Sequence, residues 1–182
     1  RADRGEDFRT LPTDQPATDE AAVDALVRDI RTRQEVVRAL LYEEEAPRLA
    51  FVGSLGMDAG VAVVANRLSR AISFDLAEFR AQRTTENAFN YLRRQTERAG
   101  VFVLLIGNLG SHHTAIDVEA FRGLALADNI APFVVINDQD AKSAWAFTLL
   151  HELAHIFLGA TGISGGQMDA RIERFCNDVA SS

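Results

Sequence analysis

His151-Glu152-Leu153-Ala154-His155 sets two imidazoles four residues apart, with a carboxylate next to the first. In a helix, positions i and i+4 stand one turn apart on the same face. Two imidazoles placed so can share one zinc ion at about 2.0–2.1 Å. Glu152 is rotated about 100° from His151, so it stands beside such a ligand pair rather than in it. From there it can take a proton from a water and pass it later to a leaving amine. Zinc brings that chemistry near neutral pH by lowering the pKa of its bound water to about 7. A purely structural zinc site has no use for this carboxylate, so the pattern points to hydrolysis. The plainer reading is two ordinary histidines on an amphipathic helix. Against it, Phe147, Leu150, Ala154, Ile156, Phe157 and Leu158 make the segment apolar nearly all round. A buried helix carrying two histidines and a glutamate needs partners for them, and a metal supplies partners.

A catalytic zinc takes three protein ligands and keeps one position open. No histidine follows His155, so the third ligand must come from Asp169, Glu173, Cys176 or Asp178. Glu173 is the choice made here. It lies on a final helix beyond a glycine-rich loop long enough to turn the chain back. Asn177 follows it by four residues on the same face, and Phe175 and Val179 give the helix an apolar side. Cys176 is the rival, since a thiolate binds zinc well, although a lone cysteine on a packed helix is more often a small core residue. His112 and His113 sit in a Gly/Ser loop, where one could approach the metal or an oxyanion, or both could stay solvated. The two histidines, Glu173 and a metal leave zinc as the expected ion, with manganese or iron also compatible with a two-His, one-carboxylate set.

These side chains must be positioned by the elements around them. A helix is expected from Ala141 to Leu158, capped from within Asn137–Asp140 and ended by Gly159. A last helix should begin near Asp169. Upstream, Val101–Ile106 reads as a buried strand. Gly123–Ala127 and Ala131–Ile136 read as a hairpin around Asp128-Asn129, which could offer an edge to an extended peptide. Further back, helices are expected from Thr18 or Asp19 to about Glu45, from Asp58 through Ile72, and from about Asp75 to Arg98. Val23, Leu26, Ile30, Val36, Val37, Leu40 and Leu41 mark the buried stripe of the first, and Leu76, Phe79, Phe89 and Leu92 that of the third. Leu49–Leu55 is apolar but short, a strand or part of a helix. The run Glu43-Glu44-Glu45 reads as a solvated helix end. The fold class is therefore α+β, several helices on a small mixed or antiparallel sheet, with residues 1–18 an extended arm and 19–182 one domain.

With 182 residues, 47% of them apolar and 25% charged, the chain has the balance of an ordinary globular domain. A net charge of −7 opposes phosphate backbones, so direct nucleic-acid binding by this segment is not expected. No apolar run reaches membrane-spanning length, and no signal peptide is visible at the charged N-terminus. A single cysteine cannot form an internal disulfide, which fits a reducing, cytoplasmic setting. The chain opens at Arg1 and ends at Ser182, which reads as a piece excised from a longer protein.

The stretch Phe147–Leu158, followed by Ile172–Ala180, resembles the ImmA/IrrE family of metallo-endopeptidases. That family carries a Phe-Thr-x-x-His-Glu-x-x-His helix and a second helix with Glu-x-x-Ala-Asn-x-x-Ala. The resemblance is weak from about residue 45 and strong from about 121. It implies a zincin-like fold, one zinc ion held by His151, His155 and Glu173, and Glu152 as the catalytic acid/base. Asn177 matches the motif's asparagine, while Cys176 stands where alanine is usual. The resemblance further implies a cytosolic endopeptidase that cleaves or inactivates a helix-turn-helix repressor in stress response or mobile-element control. A metal-dependent sensor with little proteolysis, or a toxin-like hydrolase paired with an antitoxin, would use the same frame.

Overall fold

The computed structural model describes residues 17–159 and 166–182, with side chains over 21–111, 113–159 and 170–182. Six helices and three short strands appear there: α1 (Ala17–Glu43), α2 (Val61–Ala71), α3 (Leu76–Arg80), α4 (Thr85–Arg98), β1 (Phe102–Leu105), β2 (Gly123–Leu126), β3 (Phe133–Ile136), α5 (Lys142–Leu158) and α6 (Gly166–Ser181). The sheet order is β1-β3-β2, with β1 parallel and β2 antiparallel to β3. This is an α+β fold on a mixed sheet. The expected arm falls almost wholly outside the described residues.

Alternation along the strands sorts the core into two layers. Val103, Val134, Ile136 and Ala125 face one side, where α2, α4, α5 and α6 supply Leu68, Phe89, Leu92, Leu149, Leu153 and Cys176. Leu124, Leu126, Phe133 and Val135 face the other, against Val23, Leu26, Val27 and Ile30 of α1. Phe102 and Phe133 are paired across β1 and β3 and stack with ring centroids 4.9 Å apart. The sheet is a thin partition, and α5 lies on one face of it.

α5 is the most deeply embedded helix. Trp145, Thr148, Leu149 and every residue from His151 to Phe157 are buried. Gly159 ends it in the left-handed conformation at φ 58°, as a C-terminal glycine does without Cβ strain. The Leu49–Leu55 segment is neither strand nor helix. Its backbone turns across the end of α5, where Gly53 N donates to Ile156 O at 3.0 Å and Leu55 N to Phe157 O at 3.3 Å. Phe157 O at the end of the helix thus finds a partner, Ile156 O gains a second beside the N–H of Gly159, and Phe51 stacks on Phe157.

Four expectations are corrected. The helix expected over 75–98 is two, because Asp75 caps α3 through Ala77 N and Glu78 N while Thr84 caps α4 through Asn87 N. The exposed Leu76 follows from that break. The helix expected from Asp58 starts at Val61, since Gly60 adopts φ 83°, ψ 152° after a short 3-10 turn, a conformation nearly confined to glycine. On α1, Val37 and Leu41 pack against the core while Val36 and Leu40 are 57% and 56% exposed. Each exposed residue lies about 100° round the helix from its partly buried neighbour, and the three-stranded sheet covers only one stripe. Lastly, no side chain caps α5. Asn137 turns inward, donating to Ile116 O and Phe121 O and accepting from Gln139 N, while Asp140 meets Arg122.

Candidate metal centre

The two histidines emerge from the buried face of α5. His151 and His155 are 0% and 1% exposed, and their Nε2 atoms lie 2.9 Å apart. α6 crosses beside them, packed through Ile172, Cys176 and Val179. Glu173 sits at the edge of that apolar stripe, with its side chain 26% exposed. Its Oε2 stands 3.2 Å from His151 Nε2 and its Oε1 3.3 Å from His155 Nε2.

This group passes a geometric test for a metal. Ligands of a tetrahedral ion at about 2.0–2.1 Å are separated by about 3.3–3.4 Å along each edge. One donor atom from each of the three residues lies within 4.8 Å of the others, and the shortest separations, 2.9 Å between the imidazoles and 3.2 and 3.3 Å from them to the two different oxygens of Glu173, are near such edges. Two imidazoles and a carboxylate also form a donor set suited to zinc and to other divalent first-row metals. Among the described residues, these three are the group of His, Cys, Asp and Glu able to hold an ion.

The rival ligands are placed elsewhere. Cys176 Sγ lies 3.4 Å from His155 Nδ1, behind the ring rather than on the Nε2 side where the other donors meet. Asp178 is exposed on α6, and the side chain of Asp169 lies outside the described residues. Asn177 is half-buried one turn beyond Glu173. Its backbone carbonyl accepts from Ser181 Oγ, and among the described residues its side chain makes no hydrogen bond. His113 is exposed on a short 3-10 turn and does not belong to the group of three. The side chain of His112 falls outside the described residues.

Glu152 is fully buried on the face of α5 that meets β2. There it shares space with Thr148, one turn earlier, and with Gly123 at the head of β2. A Cβ built on Gly123 would lie 2.5 Å from Glu152 Oε1 and 2.6 Å from Thr148 Cγ2. Sequence reading took Gly123 only as the start of a hairpin strand. The available signal was the glycine itself, since glycine within a strand often marks a close approach. The hairpin is formed as expected in pairing, Gly123 opposite Ile136 and Leu126 opposite Phe133. It closes through a longer loop, in which Asp128 Oδ1 accepts from Ile130 N and Ala131 N.

Residues 106–181 match the family Peptidase_M78, described as an IrrE N-terminal-like domain. The matched stretch contains β2, β3, α5 and all of α6, hence every residue of the centre just described. The resemblance to ImmA/IrrE is borne out over this stretch, which is similar to that peptidase family's domain. No curated protein and no solved structure matches the chain. Among the described residues no helix is long and apolar enough to cross a membrane.

Proposed function

We propose, taking membership of the peptidase family as the premise, that this domain is a zinc-dependent endopeptidase with Glu152 as its general acid/base. The observation that carries the reading is the meeting of His151, His155 and Glu173 at donor separations of 2.9–3.3 Å, with a second, separate carboxylate buried one residue from the first ligand. His151, His155 and Glu173 would hold the ion. A bound zinc polarises a carbonyl oxygen and makes water a nucleophile near neutral pH.

The chain's own residues supply the rest. Glu152 accepts the proton released as water adds to the scissile carbonyl carbon. It then delivers that proton to the amide nitrogen as the C–N bond breaks, leaving a free carboxyl and a free amine. Burial keeps its carboxylate in one place. The substrate track proposed is β2, the outer strand of the sheet, packed beside α5, along which an extended polypeptide would lie. The substrate proposed is a helix-turn-helix transcriptional repressor, cleaved in the cytoplasm as part of stress response or mobile-element control. An acidic domain of this kind would meet the repressor's protein surface rather than DNA.

The test pairs metal content with cleavage of a co-expressed helix-turn-helix repressor. Glu152→Gln keeps size and hydrogen bonding but removes the base, so the rate should fall by about 10²–10⁴-fold while metal stoichiometry holds. His151→Ala and His155→Ala should lose both. Undiminished cleavage by the Glu152→Gln protein would end this mechanism. A zinc-loaded wild type that cleaves nothing would favour a sensor that uses the metal without proteolysis.

A further inference from the structure

We propose that Gly123 is the positioning residue for Glu152, its missing side chain leaving the slot that holds the carboxylate. The proposal rests on the reading of Glu152 as the acid/base. Gly123 is buried at the head of β2 and paired with Ile136 in the middle strand. Its φ lies outside the left-handed range, so an L-residue could adopt its backbone. The need for glycine here is spatial. Glycine in a strand costs about 0.5–1 kcal/mol relative to alanine, so its presence calls for a local reason.

That reason lies on α5. Of the residues of β2, Leu124 and Leu126 point toward α1, while Ala125 packs on the α5 side. Alternation puts Gly123 on the α5 side as well, and both positions facing α5 are small. A Cβ at 123 would meet Glu152 Oε1 at 2.5 Å, Thr148 Cγ2 at 2.6 Å and Glu152 Cδ at 3.0 Å. Thr148 is fully buried and branched at Cβ, so its χ1 is restricted within the helix. Thr148 must give by a few tenths of an ångström, and the carboxylate, the more flexible of the two, takes the larger move. Bringing Oε1 from 2.5 Å out to about 3.0 Å or beyond requires a displacement of at least about 0.5 Å, the tolerance within which catalytic groups have to be held. A misplacement of about 1 Å can cost 10²-fold in rate.

The experiment uses the zinc-loaded chain and casein as an unstructured protein probe, with kcat, KM, zinc stoichiometry and Tm read for each variant. Gly123→Ala should lower kcat by about 10–100-fold with KM and zinc content unchanged. Glu152→Asp withdraws the carboxylate by one methylene. The alanine should therefore cost much less in that background than in the wild type, a coupling that independent sites do not show. Gly123→Ala should likewise lower Tm in the wild type and less in Glu152→Ala. If Gly123→Ala does not fold, the same comparison is made with Thr148→Ser added, which removes the Cγ2 atom. Full activity in Gly123→Ala overturns the proposal, as does an equal loss in both Glu152 backgrounds or a loss of zinc along with activity. Failure of the wild type itself to cleave casein or the repressor strikes the peptidase reading instead. The Tm comparison, which needs no substrate, then decides separately whether Gly123 and Glu152 compete for one space.

Discussion

Gly53 and Gly159 cross at the end of the metal-site helix, and their unequal geometry makes a sharp test. Both have left-handed backbones, at φ 61° and 58°. Alanine at either site carries the left-handed penalty, roughly 1–2 kcal/mol, offset by about 0.4–1 kcal/mol from a stiffer unfolded chain. Gly53→Ala stops there, because its Cβ would lie an ordinary 3.5 Å from Gly159 Cα. In Gly159→Ala the Cβ would lie 2.6 Å from Gly53 Cα, and backbone cannot swing aside as a side chain does. The 49–55 segment has to lift. That strains the bonds from Gly53 N to Ile156 O and from Leu55 N to Phe157 O, each worth about 1 kcal/mol net. Expected losses are therefore about 1 kcal/mol for Gly53→Ala and about 3 kcal/mol for Gly159→Ala. The difference of about 2 kcal/mol is about 4–8 °C in Tm for a chain of this size. Both variants should be melted at one fixed zinc concentration, because metal binding itself raises Tm. Equal Tm values for the two would refute the claim that backbone contact at this crossing fastens the end of α5.

Two further outcomes are expected. Cys176→Ala removes the sulfur 3.4 Å from His155 Nδ1. Groups that orient a ligating histidine are worth about 10–100-fold in metal affinity, and a weakly accepting thiol belongs at the lower end, so competition with a chromophoric chelator should show a loss near tenfold. Asn137→Ala deletes a buried amide that fastens Ile116 O, Phe121 O and Gln139 N. With buried carbonyls left unsatisfied at about 1–3 kcal/mol each, urea unfolding should register a loss of about 2–4 kcal/mol.

What was legible followed from residues whose local chemistry and final environment agree. α5 could be read because its sequence is apolar all round and closes on Gly159, and the structure buries it and ends it there. The placing of Glu173 beside the histidines was legible because the apolar spacing of Ile172, Cys176 and Val179 fixes which side of α6 turns inward. The break at Thr84 was missed because its neighbours continue a helical pattern, and one capping hydroxyl outweighed them. Val36 and Leu40 were misread because a sequence cannot show how wide the opposing sheet will be. Gly123 was passed over because its constraint comes from Thr148 and Glu152, some twenty-five residues or more along the chain.

The proposed centre would draw its ligands from two helices held with unequal firmness. α5 has core packing from β2, β3, α2, α4 and α6 around it. Among the described residues α6 is attached through one stripe, and that stripe brings Cys176 behind His155 and carries Glu173 on its edge. Glu173 therefore reaches the histidines only while Ile172 and Val179 remain seated. Docking of α6 and binding of the ion must then favour each other by linkage. Leu124→Ala, against α1 on the far face of the sheet, and Ile172→Ala, under α6, should each cost about 2–5 kcal/mol in stability as buried truncations. Only Ile172→Ala should also weaken zinc affinity, because it loosens the helix that presents the third ligand. Zinc titration of the two folded variants measures this without any substrate. Equal affinities would mean that Glu173 is held in place by something other than the packing of α6, and the linkage argued from that stripe would fall.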